Sequence, residues 1–415
     1  MTTTTTDSQR GRGIIATETQ LNAAERCDAH HIPFILYALP GETEATFYAD
    51  VIEGEALRLT KRHAVITEAD ESMKDDAESV VITEAHSAEE IMEMKNLPSA
   101  ASRHHHVSAV SPSAVGYMAC IHEVAASLGR GSQKAVIARI IAGKTQDSIH
   151  EIAARLFTGE AGTMRFMFYT HDTGLWFGST PELLLSCRED ASGTTAIRSI
   201  ALAGTLPAES TEPWDKKNIK EQSIVEGYMM GKMMMICEKE TGLRYSRGER
   251  TVGPVKHLCT EFTANLSPVW GDSESERFIH PTPAVAGYPL EKACELISRY
   301  ENINRRCYSG LLTVETGGTG EHVRIRETYV MLRCATLGER LDNGERTYNI
   351  YAGGGILHDS KPATEWDETA RKALPMLHVL TGIPVNEIQV TSLFDQIKLE
   401  QELQDATLRN VESPF

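Results

Sequence analysis

Glu365, Glu368 and Lys372 recur at i, i+3 and i+7, so on a helix two carboxylates and an ammonium share one face, while Asp367 points elsewhere. Just upstream, Tyr351 to Ile356 reads Tyr-Ala-Gly-Gly-Gly-Ile, a strand running into three glycines whose backbone N–H groups could come close to an anion. A second helix begins near Asp215 and carries Lys217 and Glu221 one turn apart. Magnesium is typically held by one or two carboxylates together with water and substrate oxygens, so one Glu from each of two facing helices would make a metal site. Each feature also has an ordinary reading. An i, i+3 Glu pair is commonly a solvated face, a triple glycine a turn, and Lys217 with Glu221 a helix ion pair.

A further candidate lies on a strand. Alternation over Gln133 to Ile140 puts Lys134, Val136 and Ala138 on one face, so Lys134 points where apolar residues point. The elements around these residues follow from periodicity. Helices are predicted over Ser113 to Leu128 (closing on Gly129 as a C-cap), Asp147 to Phe157, Asp215 to Glu238, Leu290 to Tyr300 and Lys361 to Leu380. Strands are predicted over Thr163 to Thr170, Leu175 to Phe177, Glu182 to Cys187, Ala196 to Leu202, Thr251 to Leu258, Phe262 to Leu266, Cys307 to Val314, Val323 to Cys334 and Thr347 to Ala352. The methionines from Met229 to Met235 read as core filler. Runs of strands broken by a few long helices, with no strict βαβ alternation, no repeat and no long linker, predict a single α+β domain of mainly antiparallel sheet with outer helices.

From about Ser113 to Leu380 the chain resembles the chorismate-utilising enzymes: isochorismate synthases, salicylate synthases and the large subunits of anthranilate and aminodeoxychorismate synthases. The resemblance is carried by Ser-Gln-Lys-Ala-Val at 132 to 136, Phe-Gly-Ser-Thr-Pro-Glu-Leu-Leu at 177 to 184, Ala-Leu-Ala-Gly-Thr at 201 to 205 and Lys217 with Glu221. It continues through His-Pro-Thr-Pro-Ala-Val-Ala-Gly at 280 to 287, Leu-Arg-Cys at 332 to 334, Ala-Gly-Gly-Gly-Ile at 352 to 356 and Glu-Trp-Asp-Glu-Thr-Ala-Arg-Lys at 365 to 372. It implies a catalytic domain over 14–384, followed by a surface extension over 385–415. It also implies roles for residues. Lys134 resembles the general base that deprotonates the attacking water, and Glu182 the general acid that protonates the departing C4 hydroxyl. A lysine base needs desolvation or neighbouring positive charge, and a glutamic acid donor needs an enclosure that keeps its proton on.

The same resemblance makes Glu221 and Glu368 the ligands of a Mg2+ ion, with Glu365 reaching it through water. Arg333, a planar bidentate donor, would grip the enolpyruvyl carboxylate, aided by the amides near Gly354 and Gly355. Lys372 would add a cation for the ring carboxylate, Gly204 and Thr205 would line the ring, and His280 would sit by the reacting hydroxyl. Lys134 stands where ammonia-using relatives carry Gln, which points to water as nucleophile and to no amidotransferase partner. The His280 to Ala284 segment favours stopping at isochorismate over going on to salicylate. The implied product would enter menaquinone or catecholate siderophore synthesis, with menaquinone preferred; the rival reading is a chorismate-binding protein without turnover. The chain departs from the family at Glu221-Gln222, at Asn218, and around Leu311 to Gly320.

Bulk properties limit the alternatives. A 41% hydrophobic and 24% charged composition is that of a globular protein with a sizeable core. A net charge of -17 argues against a nucleic-acid partner, which would be met by a basic stripe. An anionic substrate must therefore find local cations. Eight cysteines without CxxC spacing read as reduced thiols. No apolar run is long enough to span a membrane, and the Thr-rich segment 1–13 reads as a disordered tail, so the cytoplasm is the expected location. His104 to His106 reads as a polar loop.

Overall fold

Strands whose side chains are buried on both faces need cover on both sides, and Met164–Thr170 and Gly174–Thr180 are buried along nearly their whole length. The computed structural model supplies that cover with two stacked sheets and helices outside them. It describes residues 15–50, 62–69, 79–83, 85–97, 111–158, 162–317 and 324–388. The segments 1–14, 98–110, 318–323 and 389–415 lie outside the described residues, and with them the expected tail, His104 to His106, and most of the expected extension.

Among the described residues the first sheet runs, in spatial order, β12 (Gly287–Tyr288), β5 (Lys134–Thr145), β16 (Arg346–Ile356), β15 (Cys334–Leu337), β7 (Gly174–Thr180), β6 (Met164–Thr170), β1 (Phe34–Ala38) and β2 (Thr46–Ala49). The second runs β10 (Arg244–Val252), β11 (Val255–Asn265), β9 (Thr195–Pro207), β8 (Leu183–Glu189), β14 (Arg324–Val330), β13 (Leu311–Thr316), β3 (Arg62–Thr67) and β4 (Ser79–Thr83). Every pairing in both sheets is antiparallel. The α+β expectation is met. Between the sheets lies a core containing Phe166, Phe168 and Trp176 from one side and Leu183, Ile200 and Leu312 from the other.

Helices α1 (Glu18–His30), α4 (Ile149–Leu156) and α8 (Pro362–Thr381) cover the outer face of the first sheet. The long α5 (Lys216–Ile236) lies on β9 and β11 of the second, beside α6 (Asp272–Ile279). Helices α3 (Ala114–Ser127) and α7 (Leu290–Tyr300) close the end near β5, and α2 (Ala88–Glu93) packs on α1. Capping chemistry fixes where the two site-bearing helices start. Asp215 accepts from the Asn218 amide to begin α5, while Pro362 occupies the first turn of α8, whose far end closes on left-handed Gly382.

Several expected boundaries move, each for a local reason. The strand expected over Thr251 to Leu258 is split by a two-residue turn at Gly253-Pro254, with Val252 opposite Val255 and Gly253 at φ +58°. The strand expected over Val323 to Cys334 breaks at Met331 to Arg333, because Arg333 is left-handed (φ 48°) and the chain there leaves one sheet for the other. The strand expected from Cys307 begins at Leu311, after a turn. Helix α3 ends on Leu128 in extended geometry rather than on a glycine cap; the Gly129 amide instead donates to the Gln133 side chain.

Candidate active site

One cavity of about 690 Å³, part of it open to solvent, draws its wall from both sheets and from α5 and α8. Lys134 begins β5 and, as its strand position predicts, turns into the interior, where it is 1% exposed. Its Nζ lies 2.9 Å from Glu221 Oε1. That pair joins a strand of the first sheet to a helix lying on the second. Glycine leaves room for it: a Cβ on Gly355 would stand 2.1 Å from Glu221 Oε1 and 2.6 Å from Lys134 Cε, so any side chain there would displace the pair.

Glu182, just ahead of β8, is buried in the same wall, and burial pushes its carboxyl up to about 8, against the pull of Lys134, Arg250, Arg333 and Lys372. At neutral pH it holds a proton it can give away. Arg333 enters from the crossover between the sheets, and its Nη1 donates to Val252 O at 3.1 Å. Its Nη2 meets His257 Nε2 at 2.6 Å. On its other side, His257 Nδ1 is 2.9 Å from Gly204 O. A carbonyl only accepts, so Nδ1 carries the proton and Nε2 accepts from the guanidinium. Burial, then Arg333 and Lys372, hold this imidazole down to about 3, and it stays neutral. The Thr205 amide donates to Asn218 Oδ1 at 2.8 Å, which ties the cavity-facing end of β9 to the first turn of α5.

The helix carboxylates Glu221, Glu365 and Glu368 are all buried. Lys217 does not pair with Glu221 along its own helix. It crosses to α8, 2.8 Å from Glu365 Oε1 and 3.8 Å from Glu368 Oε2, and the charges of Glu368, Glu365 and Glu221 together outweigh burial and stabilise its ammonium. Lys372 Nζ donates to Glu368 Oε1 at 2.8 Å and to Gly353 O at 3.0 Å. Burial lifts the Glu365 carboxyl, while Lys372 and Lys217 overcome burial and hold Glu368 down.

This donor set fits a magnesium ion completed by water and substrate. One ammonium, Lys217, already bridges Glu365 and Glu368 and feels the charge of Glu221. Neither Glu365 oxygen accepts a well-aligned hydrogen bond, even with Lys217 within 2.8 Å. Among the described residues no three His, Cys, Asp or Glu side chains are grouped so as to hold a metal ion by themselves, so any ion here would need water or another ligand to complete its shell.

Of the residues singled out in the sequence, the cavity wall takes Lys134, Glu182, Gly204, Thr205, Glu221, Arg333, Gly355 and Lys372. Glu365 and Glu368 stand toward α8 from the glycine strand, 3.4 and 3.8 Å from where a Cβ on Gly354 would be. Gly354 itself is not in the wall. Val136 and Ala138 turn their backbone groups away from β16, toward Ala286 and Glu301, so their partners Gly355 and Gly353 face outward and Gly354 bonds into the ladder. The amides that turn away from β5 are those of Gly353 and Gly355.

His280 caps α6 outside the wall in a half-buried position, with its Nδ1 enclosed, and desolvation of the ring holds its imidazole down to about 4. The histidine in the wall is His257, which the sequence reading passed over. Its signal was available: Val255, His257 and Cys259 alternate on β11 as Lys134, Val136 and Ala138 do on β5. Tyr308 and Tyr351 also join the wall unannounced.

Comparison with known proteins places this arrangement. Isochorismate synthase EntC of Escherichia coli K12 is 28% identical over 258 residues, covering 59% of this chain and 62% of EntC. The chain thus spans less than two thirds of that relative's length. Among solved structures, DhbC from Bacillus anthracis superposes with a TM-score of 0.63 at 20% identity, over 87% of this chain and 99% of that one. MenF, the menaquinone-specific isochorismate synthase from Escherichia coli, gives 0.62 at 18% identity, over 88% and 91%. The family model described as chorismate binding enzyme matches residues 52–381 and so covers the second sheet, the first sheet except β1 and β2, α5, α8 and the whole cavity wall: the chain belongs to the chorismate-binding enzyme family.

Proposed function

We propose that this protein converts chorismate to isochorismate, adding water at C2 and losing the C4 hydroxyl. The observation that carries the reading is the pairing, in one cavity wall, of a buried lysine with a buried glutamic acid that keeps its proton up to about pH 8. Lys134 takes a proton from the attacking water, and Glu182 gives its proton to the C4 oxygen, which departs as water. One water enters and one leaves, so the reaction is an isomerisation. Arg333, held from behind by His257 and Val252, offers a fixed guanidinium to the enolpyruvyl carboxylate. Lys372 and the outward amides of Gly353 and Gly355 serve the ring carboxylate. Glu221 and Glu368, with Glu365 through water, would hold magnesium, whose charge would neutralise that carboxylate. A lysine at 134 supports water over ammonia as nucleophile, and hence a protein that works without an amidotransferase. The likeness to MenF supports menaquinone synthesis as the destination, and the absence of a long apolar helix among the described residues fits a cytoplasmic enzyme.

Purified protein incubated with chorismate and magnesium, with and without EDTA, tests the proposal by chromatography of the products. Isochorismate formed only with metal is the expected result. Salicylate with pyruvate would reassign the chain to salicylate synthesis, and unchanged chorismate would make it a binding protein.

A further inference from the structure

Among the described residues no strand lies beside the outer edge of β5 beyond β12, yet its backbone groups there meet partners. Val136 N still donates to Ala286 O. The next outward groups, Val136 O and Ala138 N, are met by side chains. Arg305 Nη2 donates to Val136 O at 2.8 Å, and Ala138 N donates to Glu301 Oε2 at 2.7 Å. The two side chains are joined by a double bridge, Nε to Oε1 and Nη2 to Oε2, both 2.6 Å. A buried ion pair thus stands in for a missing strand.

The same guanidinium reaches two more segments. Nη1 donates to Val285 O at 2.8 Å and to Ser309 Oγ at 3.3 Å. Val136 lines the cavity, Val285 follows the wall residue Ala284, and Ser309 follows the wall residue Tyr308. Arg305 is 2% exposed and is absent from the wall. One side chain therefore fixes three separate parts of the wall, including the strand that begins with Lys134, without touching the cavity.

We propose that Arg305 and Glu301 are positioning residues for the reaction, a side-chain clamp that sets Lys134 and Tyr308 against the substrate. The proposal rests on the reading that this cavity turns over chorismate. Arg305→Lys keeps the charge but loses the planar fork that serves acceptors on four residues at once. Misplacing a reacting group by about 1 Å costs on the order of 100-fold in rate. The substrate-gripping Arg333 and Lys372 are untouched, so the loss falls on kcat.

The test compares Arg305→Lys and Glu301→Gln with the parent by steady-state kinetics and by amide hydrogen exchange at Ala138 and, as a remote control on β11, at Phe262. In each variant kcat should fall on the order of 100-fold with KM within about threefold of the parent. Ala138 should lose protection while Phe262 keeps it. Parent-like kcat and Ala138 protection would overturn the clamp, and so would equal loss at Ala138 and Phe262, which marks general destabilisation. If Arg305→Lys does not fold, Glu301→Gln carries the same comparison. A parent protein that leaves chorismate unchanged would defeat the functional reading, while Ala138 exchange would still decide whether the clamp holds β5.

Discussion

Glu182 is asked to be an acid at neutral pH, and its surroundings make it one at a cost to stability. Its usual value is 4.5 and burial raises it to about 8, so between these limits the folded chain holds a proton the unfolded chain has released. The contribution of this group to stability is full below about pH 4.5 and is lost as pH rises through about 8. Glu182→Gln removes that dependence. Its melting temperature relative to the parent should therefore climb from pH 5 to pH 8.5, while kcat falls by roughly 100-fold or more for want of the acid. A melting difference that stays flat with pH would show that Glu182 is not held protonated. The place of Glu182 in the cavity wall could be read from the sequence because a motif fixed the position, and the inward turn of Lys134 was legible from alternation alone. For His257 the same alternation was available and shows only that the ring turns inward; that its Nε2 meets a guanidinium arriving from a crossover 76 residues away has no local signature.

Helix α8 aims two carboxylates, and its roll about its own axis is fixed by Arg139 on the outward face of β5. The Arg139 guanidinium lies 3.6 Å from the centre of the Trp366 ring and its Nε donates to Thr369 Oγ1 at 2.8 Å. Trp366 and Thr369 directly follow Glu365 and Glu368, so a change in their seating turns both carboxylates. Arg139→Met should raise the magnesium concentration for half-maximal activity on the order of 10-fold, as loss of a supporting contact behind a metal ligand typically does. An unchanged magnesium dependence would mean that α8 is seated by its apolar face alone. Helices such as α7, and α8 to within a residue or two, were legible because 3.6-residue periodicity and end signals agree over many turns. The β10–β11 turn and the β14–β15 break were not. Gly253-Pro254 interrupts a run that reads as continuous strand, and the left-handed Arg333 belongs to a change of sheet, a long-range event with no local signature.

At the scale of the whole molecule, the candidate metal ligands belong to different halves. Glu221 rides on α5 against the second sheet, while Glu365 and Glu368 ride on α8 against the first. The ion pairs Lys134–Glu221 and Lys217–Glu365 already cross that seam, and it is where a molecule of net charge -17 gathers the cations that the proposed dianionic substrate would need. Added magnesium meets carboxylates that attract it beside lysines that oppose it; added substrate meets the same lysines beside carboxylates that oppose it. Each ligand supplies the charge the other needs, so their binding should be coupled, and by linkage the coupling must appear in stability. Melting of Glu182→Gln, which should bind chorismate without consuming it, is the measurement. Magnesium and chorismate together should raise the melting temperature by more than the sum of their separate shifts. A purely additive result would place the two ligands at independent sites and separate the carboxylates of α5 and α8 from the chemistry of the cavity.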